Sequence, residues 1–173
     1  YMMSNREYLV VTGHRRENFG KGLLNICEAL KTIALRYKEK DIIYPVHLNP
    51  CVQETVQTVL RNIPNIYLIQ PLDYMPFVYL MQHSLIILTD SGGIQEEAPY
   101  LGKPVLVTRD TTERKEAIDA GTVRLVVTNK NAIVNSVIEL LGKEHVYQQM
   151  SNAQNPYGDG QASKRIVKAL QLI

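Results

Sequence analysis

The stretch Leu85 to Pro104, LIILTDSGGIQEEAPYLGKP, limits the possible folds more than any other part of the chain. Leu85, Ile86, Ile87 and Leu88 form a short unbroken apolar run, which is how a strand buried on both faces reads. Thr89, Asp90 and Ser91 follow, then Gly92-Gly93, then a helical run from Ile94 to about Leu101. Two glycines at a strand-to-helix turn let backbone N–H groups approach a ligand with no Cβ in the way. The helix starting there aims its unpaired N–H groups and the positive end of its dipole at the same place, which suits a phosphate or diphosphate. Glu96 and Glu97 lie in its first turns, where a carboxylate can accept hydrogen bonds from a ribose diol. The plainer alternative is a capped turn with no ligand, since Gly-Gly turns are common and acids favour helix N-termini.

The rest of the chain repeats this alternation. Short apolar strands are predicted at Tyr8–Thr12, Ile42–Val46, Ile66–Ile69, Val105–Val107 and Thr122–Val127. A helix is expected from Leu23 to about Lys38, where Leu23, Ile26, Cys27, Leu30, Ile33, Ala34 and Tyr37 recur at helical spacing. Asn49 and Pro50 read as the N-cap and first residue of the next helix, with Val52, Val56, Val59 and Leu60 as its buried stripe. Further helices are predicted from Tyr74 to about His83, from Glu113 to Ala120 with Gly121 as the stop, and from Asn131 to about Ala153 with a break near Gly142. Asn155 to Gly160 is a turn-rich linker. Gln161 to the end is an amphipathic helix with Ile166, Val167, Ala169 and Leu170 apolar. Residues 1–7 are polar and read as a frayed end.

Six such strands alternating with helices argue for an α/β fold, a Rossmann-like doubly wound parallel sheet of order 3-2-1-4-5-6. At 173 residues it is one domain, 1–173. Ligands of such sheets bind beyond the carboxyl ends of the strands, where the strand order reverses between strands 1 and 4. That rule brings His14, Arg15 and Arg16, after strand 1, beside Ser91, Gly92 and Gly93, after strand 4.

Composition removes several function classes. The net charge is +2 and the basic residues are scattered, so no nucleic-acid partner is expected. No stretch approaches the roughly 18 apolar residues of a membrane span, and no signal pattern opens the chain. Cys27 and Cys51 stand in no metal or redox spacing and read as reduced thiols of a cytoplasmic protein. No metal ligand set, dinucleotide fingerprint or Walker A loop is present. The first residue is Tyr1, as expected of a piece of a longer chain or of a trimmed tag.

The polar residues group at the loops of the predicted ligand edge. His14, Arg15, Arg16, Glu17 and Asn18 form the densest cluster, able to neutralise a diphosphate or, on the plainer view, to face solvent. His47 follows strand 2 on the same edge and reads, by itself, as a structural histidine. Arg109 to Arg114 follow strand 5. Arg114 can pair with Glu97 or reach a sugar, and Asp110 or Thr112 can cap the next helix. Phe77 reads as core, with a flat base as its other possible neighbour. His83 and His145 read as surface residues.

Five segments carry a family likeness: GHRREN (13–18), YPVHLNP (44–50), PLDYMPFVYLM (71–81), LTDSGGIQEEAPYLGKPVLVTRDTTERKEA (88–117) and NPYGDGQAS (155–163). In order and spacing the chain resembles the non-hydrolysing UDP-N-acetylglucosamine 2-epimerases, and only their C-terminal domain. The resemblance implies one half of a GT-B architecture, with an N-terminal domain absent here and the helix 161–173 made to pack on it. It implies interconversion of UDP-GlcNAc and UDP-ManNAc by elimination and re-addition of UDP through 2-acetamidoglucal, in the cytoplasm of bacteria, without a metal or redox cofactor. Full-length members form homodimers, and the isolated domain is expected to be inactive because the acid/base carboxylates lie in the other domain. By the same resemblance His14 is catalytic, near the diphosphate. Ser91, Gly92 and Gly93 form the phosphate turn, Glu97 holds the ribose, Arg114 belongs to the substrate site, and Leu72 and Phe77 flank the uracil, Leu72 through its backbone. Arg15 and His47 match residues that bind a second, activating UDP-GlcNAc. The neighbouring readings are a GT-B glycosyltransferase donor domain and a non-catalytic nucleotide-binding module.

Overall fold

In a computed structural model, which describes residues 6–171, the chain runs β1 (Tyr8–Thr12), α1 (Lys21–Arg36), β2 (Asp41–Pro45), α2 (Pro50–Leu60), β3 (Ile66–Ile69), α3 (Tyr74–Gln82), β4 (Ile86–Thr89), α4 (Gly92–Tyr100), β5 (Val105–Val107), α5 (Lys115–Asp119), β6 (Val123–Leu125), α6 (Lys130–Gly142), α7 (Glu144–Ser151) and α8 (Ala162–Leu170). A single 3₁₀ turn, Arg16–Asn18, lies between β1 and α1. The strands form one sheet in the order β3-β2-β1-β4-β5-β6, every pair parallel, as the alternation predicts.

Both faces of the sheet are covered, which is why the strands read as continuous apolar runs. Successive side chains of a strand point to opposite faces. Leu9, Val11, Ile86 and Leu88 therefore join one core with α1, α2, α6 and α7, through residues such as Leu30, Val56, Ile133 and Met150. Tyr8, Val10, Ile87, Val105 and Val107 join a second core with Leu80 and Met81 of α3, Ala98 of α4 and Ala117 of α5. Each fully buried Leu or Ile contributes about 1.5–3 kcal/mol.

Local chemistry sets the element ends. Asn49 caps α2 as expected, accepting from the Cys51 N–H at 3.0 Å, with Pro50 in the first turn. Asn129 caps α6 the same way, through Ala132 N–H. Buried Asn65 closes the far end of α1, its Nδ2 donating to the carbonyls of Ala34, Tyr37 and Lys40. The break expected near Gly142 falls at Lys143, between α6 and α7.

Some ends differ from the sequence reading. β6 stops at Leu125, not Val127, because Val127 adopts a φ of 47°, outside any strand. α1 begins at Lys21, because Gly20, with a φ of 76°, turns the chain into the helix. The last helix spans Ala162–Leu170, and the expected extension to residues 172–173 lies outside the described residues, as does the expected fraying of 1–5. On α8, Ile166, Val167 and Leu170 are 59%, 53% and 65% exposed.

Candidate functional site

β1 and β4 lie side by side, with Thr12 in register with Thr89 and their hydroxyls 2.7 Å apart. The chain leaves both strands at the carboxyl edge, so the loops beginning at Gly13 and at Asp90 start next to each other. Asp90 binds them together. Its buried carboxylate accepts from the backbone N–H of His14 at 2.9 Å, the backbone N–H of Arg15 at 2.8 Å and Asn18 Nδ2 at 3.2 Å. Its other oxygen lies 3.2 Å from His14 Nδ1. Asn18 also donates to the carbonyl of Thr108, beyond β5, so three strand ends share one network. Gly13 leaves little room for a side chain: a Cβ there would come within 3.2 Å of the buried Tyr44 hydroxyl, which would have to shift by a few tenths of an ångström.

Burial alone would raise the Asp90 pKa, but the His14 ring and the N–H groups of Arg15 and His14 outweigh it and hold the carboxyl below its ordinary value. Asp90 in turn raises the His14 pKa by hydrogen bond and charge, against partial burial and the neighbouring Arg15 guanidinium. The His14 ring stacks on His47, which follows β2, at a centroid distance of 5.8 Å.

α4 begins one residue past this network. Gln95 is fully buried on its inner face. Its Nε2 donates to the Ser91 carbonyl at 3.1 Å, and its Oε1 accepts from the Thr112 hydroxyl at 2.6 Å. Thr112 Oγ1 also accepts from the Arg114 N–H at 3.1 Å. That chain of contacts fixes Arg114 against the helix start. A Cβ at Gly92 would lie 3.7 Å from the Arg114 guanidinium and 3.9 Å from that of Arg15. Two cations therefore converge on an N-terminus whose N–H groups and dipole already favour an anion. The Ser91 hydroxyl makes no capping bond to the helix. Arg109 is committed elsewhere, to Glu17 at 2.7 Å and Glu113 at 2.6 Å.

Of the two roles read for Arg114, pairing with Glu97 or reaching a sugar, the pair with Glu97 does not form. Arg114 Nε bonds Glu96 at 2.5 Å, while Glu97 accepts from the Tyr74 hydroxyl at 3.0 Å. Adjacent residues on a helix point about 100° apart, so α4 turns Glu96 towards the loop after β5 and Glu97 towards α3. Neither Asp110 nor Thr112 is the cap of α5; Arg114 holds that position. Phe77 is half-buried against the second core, as read from sequence, and Leu72 is 38% exposed ahead of α3.

Thus His14, Arg15, His47, Ser91, Gly92, Glu97 and Arg114 gather at one edge, with Leu72 and Phe77 carried by the neighbouring β3–α3 segment. Sequence reasoning missed Asp90, Gln95 and Tyr74, and read Thr112 only as a candidate cap. Asp90 left a usable signal: an acid directly after an apolar central strand, at the edge where ligands bind. Gln95 left none, because its pairing with Thr112 exists only in the folded chain.

The fold and this edge define a Rossmann-like α/β domain with an anion-receptive switch point between β1 and β4. The chain belongs to the UDP-N-acetylglucosamine 2-epimerase family, whose model matches residues 2–171. It is 60% identical over 171 residues to the UDP-N-acetylglucosamine 2-epimerase of Yersinia pestis, covering 99% of this chain and 46% of that protein. It is 59% identical over 167 residues to the Escherichia coli K12 enzyme of the same name, covering 96% of this chain and 44% of that protein. The Neisseria meningitidis UDP-GlcNAc 2-epimerase, solved bound to UDP-GlcNAc, superposes with a TM-score of 0.94 at 49% identity over 99% of this chain and 46% of its own. Staphylococcus aureus MnaA, solved with UDP, gives 0.93 at 46% identity, over 98% and 47%. The chain spans about half the length of these relatives. The C-terminal domain of a Francisella tularensis group 1 glycosyl transferase, 16% identical with a TM-score of 0.65, has the same fold; that likeness concerns fold alone.

Proposed function

We propose that this chain is the UDP-binding, C-terminal half of a UDP-N-acetylglucosamine 2-epimerase. The observation that carries this reading is the convergence of Arg15 and Arg114 on Gly92 at the start of α4, in a chain of this family. In the proposed reaction a base removes the C2 proton of UDP-GlcNAc as the C1–O bond breaks, and the electron pair leaves with UDP. The sugar is left as 2-acetamidoglucal. UDP then adds back to C1 while a proton reaches C2 from the opposite face, giving UDP-ManNAc.

The residues of this chain act on the leaving group. The α4 N–H groups, Ser91, Arg15, Arg114 and His14 stabilise the charge that grows on the departing diphosphate. Glu97 takes the ribose hydroxyls, and Leu72 and Phe77 border the uracil. The C2 acid and base belong to the other half of the enzyme, so this chain alone binds but does not epimerise. α8 offers its apolar face to that half. His47, stacked on His14, and Arg15 also border the place for a second, activating UDP-GlcNAc. The glycosyltransferase reading keeps only the shared fold in its favour.

The test is product analysis. The 173-residue chain incubated with UDP-GlcNAc yields no UDP-ManNAc, whereas the full-length protein yields UDP-ManNAc and no glycoside. Turnover by the chain alone overturns the division of labour. A glycoside plus UDP from the full-length protein overturns the epimerase reading.

A further inference from the structure

The Asp90 carboxylate is 1% exposed, and among the described residues its hydrogen-bond donors all lie in the loop after β1. The donors include two backbone N–H groups, of His14 and Arg15, and the Asn18 amide, so these bonds set the path of the loop. The remaining contact, to His14 Nδ1, sets the chemistry of a side chain. An Nδ1 that faces a carboxylate must carry a hydrogen, and the ring then has only Nε2 for whatever enters the site. We propose that Asp90 is a positioning residue that keeps His14 an imidazolium, with Nδ1–H bound to the carboxylate and Nε2–H available as a charge-assisted donor to a diphosphate oxygen. Only the identity of the anion rests on the nucleotide reading.

The groups around the ring agree with this assignment. On its own loop, Arg15 opposes the positive charge of His14, and Asp90 at the end of β4 favours it. From the β2 side comes His47, whose Nδ1 accepts the Asn49 N–H at 3.1 Å, which leaves its ring hydrogen on Nε2. The Tyr44 hydroxyl of β2 is buried, and burial first, then the charges of Cys27 and Asp90, hold it far above its ordinary pKa, so it stays neutral. The His14 pKa is raised, so its positive charge is present at low pH and is lost as pH rises through the folded-state value. The Asp90 pKa is lowered, so its charge is lost only as pH falls through a value below 3.8. Between those limits the pair is ionised and Nε2 carries its hydrogen.

The experiment is a ¹⁵N-histidine NMR titration of this chain from about pH 5 to about pH 9, with His14→Gln used to assign the signal. In the wild type the His14 midpoint lies above the ordinary value of about 6.5, and the deprotonated ring holds its hydrogen on Nδ1. In Asp90→Asn the midpoint falls by about one unit. Affinity for UDP-GlcNAc, whose doubly esterified diphosphate keeps its charge over this range, falls about tenfold as pH rises through the wild-type midpoint. His14→Gln removes that dependence. Equal midpoints in wild type and Asp90→Asn overturn the proposal, and so does pH-independent binding by the wild type. If Asp90→Asn does not fold, the wild type decides: a midpoint at or below about 6.5, or a neutral ring with its hydrogen on Nε2, overturns it. If the histidine titrates as stated but UDP-GlcNAc does not bind at any pH, the Asp90–His14 assignment stands and the nucleotide reading falls.

Discussion

At the scale of single residues, the ligand-facing edge already carries a stand-in for its ligand. Glu97 is the carboxylate proposed for the ribose, and in this structure the Tyr74 hydroxyl donates to it. A ribose hydroxyl has to displace that donor. Tyr74→Phe removes the competitor and leaves the ring, so calorimetry with UDP is expected to show tighter binding in the variant. Weaker binding would mean that Tyr74 contacts the nucleotide itself. The contrast between Glu96 and Glu97 marks where sequence reading stops. Both acids were legible as residues of the first turns of a helix at a phosphate turn. Which one meets Arg114 depends on how α4 is rotated against the loop after β5, and the contact that joins the two there, Thr112 to Gln95, spans 17 residues and leaves no periodic pattern.

At the scale of elements, two connections hold the edge in shape. The first is the buried pair of Gln95 on α4 and Thr112 before α5. Thr112→Val keeps the shape of the side chain but strands the Gln95 oxygen and releases the Arg114 N–H. The expected cost is about 1–3 kcal/mol in chemical denaturation, with weaker UDP binding because Arg114 loses its anchor. Unchanged stability would show that the pair is not a support. The second is the exit from β6, where Val127 takes a left-handed conformation that a β-branched residue resists. Val127→Gly relieves this and Val127→Ala does not, so the glycine variant is expected to be more stable than the alanine variant by about 1 kcal/mol. The reverse order would remove the strain. The elements themselves were legible because each strand is sheathed on both faces and therefore apolar throughout. The early end of β6 was not, since Val126 and Val127 extend the apolar run while the backbone leaves the sheet.

At the scale of the whole molecule, the sheet order was legible because parallel strands joined by helices leave few topologies, and the switch between β1 and β4 follows from that order. What the chain packs against was not legible from periodicity alone. α8 is strongly amphipathic, yet Ile166, Val167 and Leu170 are more than half exposed, and the chain spans about half the length of its relatives. In the isolated chain, amide exchange across 162–170 is expected to be fast compared with α1, which lies inside the first core. Equal protection in a monomer would show that α8 has a partner within this chain. The central claim is that the β1/β4 edge holds a uridine diphosphate, and its most direct measurement is an amide NMR titration of this chain with UDP. The account predicts saturable shifts concentrated at residues 13–18, 91–97 and 114. No saturable change, or a set of shifts centred away from α4, would contradict it.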